Sequence, residues 1–275
     1  MLSDDQLERY ARHIILREIG GAGQAKLRNA RVLIVGAGGL GSPALLYLAA
    51  AGVGTIGVVD DDEVSLSNLQ RQIAHRTQDI GRLKVDSASD AARALNPDTQ
   101  VNRHAVRLGA ANAINLVEQY DLVLDGSDNF STRFLVNDAC FLASRCLVSA
   151  AVGQFDGQLA VFKAHEGDAE GKRVYPCYRC LYPEAPPPGA VPTCTEAGVL
   201  GALTGVMGTM QALEVVKELL GIGETMAGRL LLYDGLASLF RVVKVNPDPA
   251  CSLCGVHATI HDLSQHCVDE KACGL

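Results

Sequence analysis

The sequence predicts an α/β fold, a Rossmann-like, doubly wound and mostly parallel sheet extended by antiparallel strands. Three observations predict it. Short β-branched apolar runs alternate with segments of helical period from Arg31 to Ala150, as βαβ units require. The first run ends on a glycine-rich turn, Gly36-Ala-Gly38-Gly39-Leu-Gly41, with a helical stretch directly behind it. Two Cys-x-x-Cys pairs, Cys177/Cys180 and Cys251/Cys254, lie beyond the point where that alternation stops.

The elements follow in order. Residues 7–19 read as one amphipathic helix, with Arg9, Arg12 and Arg17 set among Tyr10, Ile14, Ile15 and Ile19. Residues 31–35 form a strand, and Pro43 falls in the first turn of the next helix, where its missing N–H leaves nothing unpaired. That helix ends at Gly52; a second strand, 55–59, ends on Asp60, about twenty residues past the loop. Helices over 83–95, 110–118 and 130–144 alternate with strands over 100–106, 121–125 and 147–150. After Gly153 the pattern changes. A strand over 158–162 leads to a polar loop and the first cysteine pair, and five prolines keep 182–194 out of regular structure. A helix over 196–219 is rich in glycine, and 230–233 with 240–245 form a two-stranded meander turning at Asp234-Gly235. The organisation expected is a nucleotide-binding half over 1–153, a second half over 154–255 and a polar tail over 256–275.

Composition narrows the function. The chain has 275 residues and a net charge of −7, whereas a nucleic-acid partner demands a basic face. No run has the length and purity of a membrane span. The N-terminus carries no basic segment followed by an apolar stretch, so a cytoplasmic protein is expected, its nine cysteines reduced and serving metal or chemistry.

Two Cys-x-x-Cys pairs far apart in sequence point to four thiolates, Cys177, Cys180, Cys251 and Cys254, on one structural zinc ion. A redox dithiol is the competing reading. The glycine loop lets backbone N–H groups approach a phosphate and aims a helix N-terminus at its charge, with Asp60 placed for the ribose hydroxyls. A dozen residues then supply carboxylates, amides and an arginine: Asp60, Asp61, Asp62, Glu63, then Ser67, Asn68, Leu69, Gln70, Arg71 and Gln72. Lys84 opens a helix and Asp128-Asn129 follows a strand. Cations for triphosphate oxygens and an Asp for Mg²⁺ suit the breaking of a phosphoanhydride better than hydride transfer. Taken singly, each is an ordinary surface residue.

Together, the glycine loop, Ser67-Asn-Leu-Gln-Arg-Gln72, Asp125-Gly-Ser-Asp-Asn129, the opening Arg9-Tyr-Ala-Arg-His-Ile-Ile-Leu16 and the four cysteines resemble the MoeB/ThiF/HesA family, bacterial relatives of ubiquitin-activating enzymes. The likeness reaches about Gly255, and the molybdopterin-synthase adenylyltransferase branch is the most similar. The resemblance implies ATP·Mg²⁺-dependent adenylation of the C-terminal Gly-Gly tail of a ubiquitin-like sulfur-carrier protein, with loss of pyrophosphate. It implies that Gly39 and Gly41 line the phosphates, that Asp60 holds the ribose, and that Asn68, Arg71 and Lys84 contact phosphates. Asp128 would hold the magnesium, and Arg12 would reach the site of the neighbouring subunit of a homodimer. The carrier belongs to molybdopterin, thiamine, cysteine or thiolated-tRNA synthesis. A rhodanese domain found in longer relatives is not expected, so sulfur would come from a separate protein.

Cys194 precedes a helix after the proline-rich loop. It reads equally as a thiol for sulfur transfer or a covalent carrier link, and as a small half-buried residue. Cys140 and Cys146 read as core; Cys267 and Cys273 have no assigned role. The rival functions are an NAD- or FAD-dependent oxidoreductase, which leaves Ser67–Gln72, Lys84 and Asp128 unexplained, and a non-catalytic scaffold for the carrier.

Overall fold

The computed structural model describes residues 2–168, 170, 173–187, 190 and 194–266, the side chains of Cys194 and Thr195 excepted. Cys267 and Cys273 lie outside the described residues, as does the side chain of Cys194. Five parallel strands are built from β-branched and aliphatic runs: β1 (Arg31–Val35), β2 (Thr55–Val59), β3 (Gln100–His104), β4 (Leu122–Asp125) and β5 (Cys146–Val152). Three more, β6 (Asp156–Phe162), β7 (Arg229–Asp234) and β8 (Leu239–Lys244), continue the same sheet antiparallel from β5. The order β3-β2-β1-β4-β5-β6-β7-β8 reverses direction between β1 and β4, the switch point at which such sheets leave a crevice beyond their carboxyl ends. The fold class read from the sequence is the one found.

Along the chain the helices are α1 (Asp4–Arg9), α2 (Ala11–Ile14), α3 (Gly20–Asn29), α4 (Gly41–Ala50), α5 (Lys84–Leu95), α6 (Ala113–Val117), α7 (Phe130–Leu142), α8 (Tyr178–Leu181), α9 (Cys194–Ala197) and α10 (Gly201–Leu220). Alternation within β1 sends Val32 and Ile34 to one face and Leu33 and Val35 to the other. The first face packs Leu45 and Leu48 of α4, Val85 of α5, and Met207 and Val215 of α10. The second packs Val117 of α6 and Phe134 and Val136 of α7, with Tyr120 and Tyr178. Each fully buried Leu or Ile contributes about 1.5–3 kcal/mol by leaving water. Strands covered on both faces explain the continuous apolar runs.

Two expectations need correction, and one helix is added. Residues 7–19 are not one helix. Tyr10 leaves helical geometry at φ −99°, ψ 11° and turns inward to 2% exposure. Its hydroxyl accepts from Asn96 Nδ2 at 2.7 Å. Burying that ring and satisfying its hydroxyl outweigh continuing a helix of exposed residues. The next helix, α3, forms over a stretch to which the sequence reading assigns no element, despite Gly20, Gly21 and Gly23. It is held by Gln24, which donates to the Ala51 carbonyl at 2.9 Å. Finally, the helix expected over 196–219 is two helices. Gly198 adopts φ +78°, and Leu200 N–H donates to Gln154 O at 3.2 Å before α10 begins.

Candidate active site and metal centre

A crevice of about 330 Å³ opens beyond β1, β2 and β4. Its floor is the glycine turn, which leaves β1 with Gly36 at φ +90° and enters α4 at Gly41. A Cβ on Gly41 would collide with the Gly36 carbonyl oxygen, so the turn is this tight only because both residues are glycine. Among its lining residues are Gly39, Asp60, Asp62, Arg71, Lys84, Asp128 and Asn129. Those seven candidates come from four stretches of sequence and meet at one place.

Asp60 ends β2 and braces the loop. Its Oδ2 accepts from Ala37 N at 2.8 Å, and its Oδ1 accepts from Asp62 N at 2.9 Å. Burial pushes its pKa above the ordinary carboxylate value, and Lys84 works against that. The Lys84 ammonium lies 2.6 Å from Asp62 Oδ2 and 3.9 Å from Asp60 Oδ1. Arg71 lines the crevice, and its Nη1 donates to the Ser67 carbonyl of the short helical turn Leu66–Asn68 at 3.1 Å. Asn68 is spent locally: its Oδ1 caps that turn from Ser65 N at 3.1 Å. Asn129 caps α7, accepting from Thr132 N at 2.9 Å. Asp128, beside it, is exposed to the crevice.

Gly41, Ser67, Asn68, Leu69 and Gln70 are not among the lining residues, and Arg12 is exposed on α2. Three further residues line the crevice: Gln72 and Ser127, which the sequence offered only as parts of motifs with no role of their own, and Arg133, which it did not single out. Each is buried and has a side-chain atom without a partner among the described residues: Gln72 Oε1, Ser127 Oγ and Arg133 Nε. Such atoms suit a polar ligand. Arg133 was legible in principle, since it follows Asn129 by one helical turn. Asp125, fully buried beneath it, has its pKa pushed up by burial against the pull of Arg133.

The four cysteines converge. Sγ–Sγ separations are 3.9 Å for Cys177–Cys180, 3.5 Å for Cys177–Cys251, 3.4 Å for Cys180–Cys254 and 3.5 Å for Cys177–Cys254. These are far too long for disulfides and close to the edge of a tetrahedron about 3.8 Å long that Zn–S bonds of about 2.3 Å would span. Asp248 N–H donates to Cys180 Sγ at 3.4 Å, and Leu253 and Ala164 enclose the group. Beside it lies Asp138, which accepts from Arg179 Nε at 2.8 Å and Nη2 at 2.7 Å, Gln265 Nε2 at 2.9 Å and His266 Nε2 at 2.7 Å. This buried carboxylate ties α7 to the Cys-x-x-Cys turn and to the end of the described chain. Cys140 and Cys146 are core residues whose thiol pKa values burial pushes well up.

Comparison with known proteins places these features. The ThiF family model matches residues 10–253. A sulfur carrier protein adenylyltransferase of Thermus thermophilus is 50% identical over 271 residues, 98% of each chain. The probable adenylyltransferase/sulfurtransferase MoeZ of Mycobacterium tuberculosis is 51% identical over 90% of this chain, which spans 62% of that protein. The MOCS3 adenylyltransferase and sulfurtransferase of Anopheles gambiae is 47% identical, and this chain spans 60% of it. Among solved structures, Escherichia coli MccB with MccA-N7isoASN superposes with a TM-score of 0.77 at 21% identity, covering 92% of this chain and 75% of that one, a likeness of fold. With its glycine loop, charged crevice and four-cysteine cluster in one sheet framework, this chain belongs to the ThiF family.

Proposed function

We propose that this chain is an adenylyltransferase that uses ATP to activate the C-terminal glycine carboxylate of a ubiquitin-like sulfur-carrier protein. The observation that carries the reading is the meeting of Arg71, Lys84 and Asp128 with the glycine loop around one crevice. A carboxylate oxygen of the carrier attacks the α-phosphorus; the bond from that phosphorus to the bridging oxygen breaks, and pyrophosphate leaves with the electron pair. The products are an acyl-adenylate and pyrophosphate. Charge grows on the α-phosphate and on the departing group, and Lys84 and Arg71 stabilise it from fixed positions. No protein nucleophile is needed.

The hard oxygen donors fit Mg²⁺. Asp128 is exposed to the crevice, and Asp60, Asp61 and Asp62 bring their carboxylates within 4.8 Å of one another. Asp128 would hold the ion, which would supply charge neutralisation on the phosphates. Four thiolates with no open position fit zinc as a cross-link within residues 154–255, between the Cys177/Cys180 turn and the Cys251/Cys254 turn. Arg12, exposed on α2, serves the site of a second copy in a homodimer. Cys194 belongs to the sulfur-transfer step that follows, with sulfur arriving from another protein. The reaction serves molybdopterin or thiamine synthesis in the cytoplasm, where the four thiols stay reduced. No helix among the described residues is long and apolar enough to cross a membrane.

Mass spectrometry of a Gly-Gly-ending carrier incubated with this protein and ATP·Mg²⁺ tests the proposal. The expected product is carrier carrying one AMP, sensitive to hydroxylamine. Reduction or oxidation of a nicotinamide or flavin, with unmodified carrier, would instead support the oxidoreductase reading.

A further inference from the structure

His75 is a buried histidine, 6% exposed, for which the adenylation chemistry has no use. It follows Gln72, which lines the crevice, and lies behind the glycine loop. Its Nε2 is 3.0 Å from the carbonyl oxygen of Ala37, and its Nδ1 is 2.9 Å from Ser87 Oγ. Ser87 in turn donates to Asp79 Oδ2 at 2.9 Å. Asp79 also accepts from Arg76 N at 3.0 Å and Arg82 Nη1 at 2.6 Å. Ala37 is the loop residue whose N–H Asp60 holds from the crevice side. Its carbonyl, which Ser42 Oγ also approaches at 3.3 Å, is gripped from behind by His75.

The hydrogens settle the roles. A carbonyl only accepts, so Nε2 carries a proton. Ser87 has one hydroxyl hydrogen, and the Asp79 carboxylate takes it. Nδ1 then meets a lone pair on Ser87, and that contact is a hydrogen bond only if Nδ1 is protonated too. In the neutral ring the Ser87 hydrogen turns to Nδ1 and Asp79 loses a donor. The facing charges are Asp60 at the end of β2, Lys84 on α5, and Asp79 with Arg82. Burial, with Lys84 beside it, holds the ring's pKa below the ordinary imidazole value, against the upward pull of the Ala37 hydrogen bond, Asp60 and Asp79. Negative charge arriving on the far side of the loop tips this balance toward the imidazolium.

We propose that His75 is a positioning residue of the nucleotide site: it fixes the Ala37 carbonyl and, with Ser87 and Asp79, takes up a proton when a polyphosphate fills the crevice. This rests on the nucleotide reading of that crevice.

The test uses the intact protein with ATP and its α,β-methylene analogue. Imidazole NMR should show the His75 titration midpoint rising by about one pH unit when the analogue binds. Replacing Ser87 with Ala removes the acceptor for the second proton, so the S87A midpoint should fall and the pH dependence of ATP affinity should flatten. H75N keeps a donor for Ser87 but no longer reaches Ala37, and should weaken ATP about tenfold while kcat changes less. H75Q keeps a donor for Ala37 and should stay within about threefold of the parent. An unmoved midpoint, or equal losses in H75N and H75Q, would overturn the assignment even if H75N folded poorly, because the NMR and S87A arms stand without it. A parent that binds no ATP would overturn the nucleotide reading itself; a parent that binds ATP beside indifferent variants overturns only the role of His75.

Discussion

Lys84 Nζ stands 2.6 Å from the Asp62 carboxylate on a side chain that is itself only 7% exposed. A charge desolvated to that degree and held by a solvent-facing partner is already in place before any phosphate arrives. Its attraction for charge developing in the crevice is therefore stronger than a surface lysine's, and needs little reorganisation.

Removing that charge should therefore affect turnover more than binding. For K84A we expect kcat for carrier adenylation to fall about 100-fold or more, with ATP affinity changed only a few-fold. R71A should behave in the same sense. Steady-state kinetics showing intact turnover and only a raised ATP KM would count against both assignments.

The glycine turn offers a structural test. G41A would drive a Cβ into the Gly36 carbonyl, backbone against backbone, with no side chain free to yield. We expect about 1–3 kcal/mol of destabilisation and loss of ATP binding, read by chemical denaturation and calorimetry. A stable G41A that binds ATP normally would show that the turn has slack the geometry denies it.

The thiolate cluster should contain one zinc ion per chain. Metal analysis of the purified protein checks this, and C254S should lose the ion. Chelation should raise hydrogen exchange around residues 248–260 and leave β1, β2 and β4 protected. Protein free of metal, or chelation without effect, would remove zinc from the account.

Asp138 supplies a pH dependence. Hydrogen bonds from His266 and Arg179 hold its folded-state pKa below the ordinary value, overcoming the opposing effect of burial. A carboxylate depressed on folding adds stability that is fully present above its unfolded pKa of about 3.9 and is lost as pH falls through the folded value. D138N should cost about 3–5 kcal/mol near neutral pH, because Arg179 stays buried without its partner. The gap between parent and variant should close as the pH falls below about 4. Zinc loss in acid is common to both proteins and cancels in the difference. A gap that is constant with pH would mean that the carboxylate's charge is not what stabilises.

Much of the fold was legible. β1, β2, β4 and β5 announce themselves as apolar β-branched runs because the sheet is buried on both faces, and Gly36–Gly41 marks the strand-to-helix turn. The N-terminal region was misread for a physical reason. Tyr10 finds its place by packing against residues about forty and ninety positions away, near Gly52 and Asn96, and no local pattern carries that information. The residues at the crevice split the same way. Lys84 and Arg71 were visible as charges near a phosphate loop. His75 and Arg133 were not, because their importance lies in burial and in partners on other elements.

The central claim is that the charged side chains of the crevice drive carboxyl activation at the α-phosphorus of ATP. Exchange of labelled pyrophosphate into ATP measures that step directly and reversibly. The account predicts exchange that requires Mg²⁺ and a carrier ending in Gly-Gly, is abolished by trimming the terminal glycine from the carrier, and collapses in K84A. Exchange that proceeds at the same rate without any carrier, or that K84A leaves untouched, would contradict it.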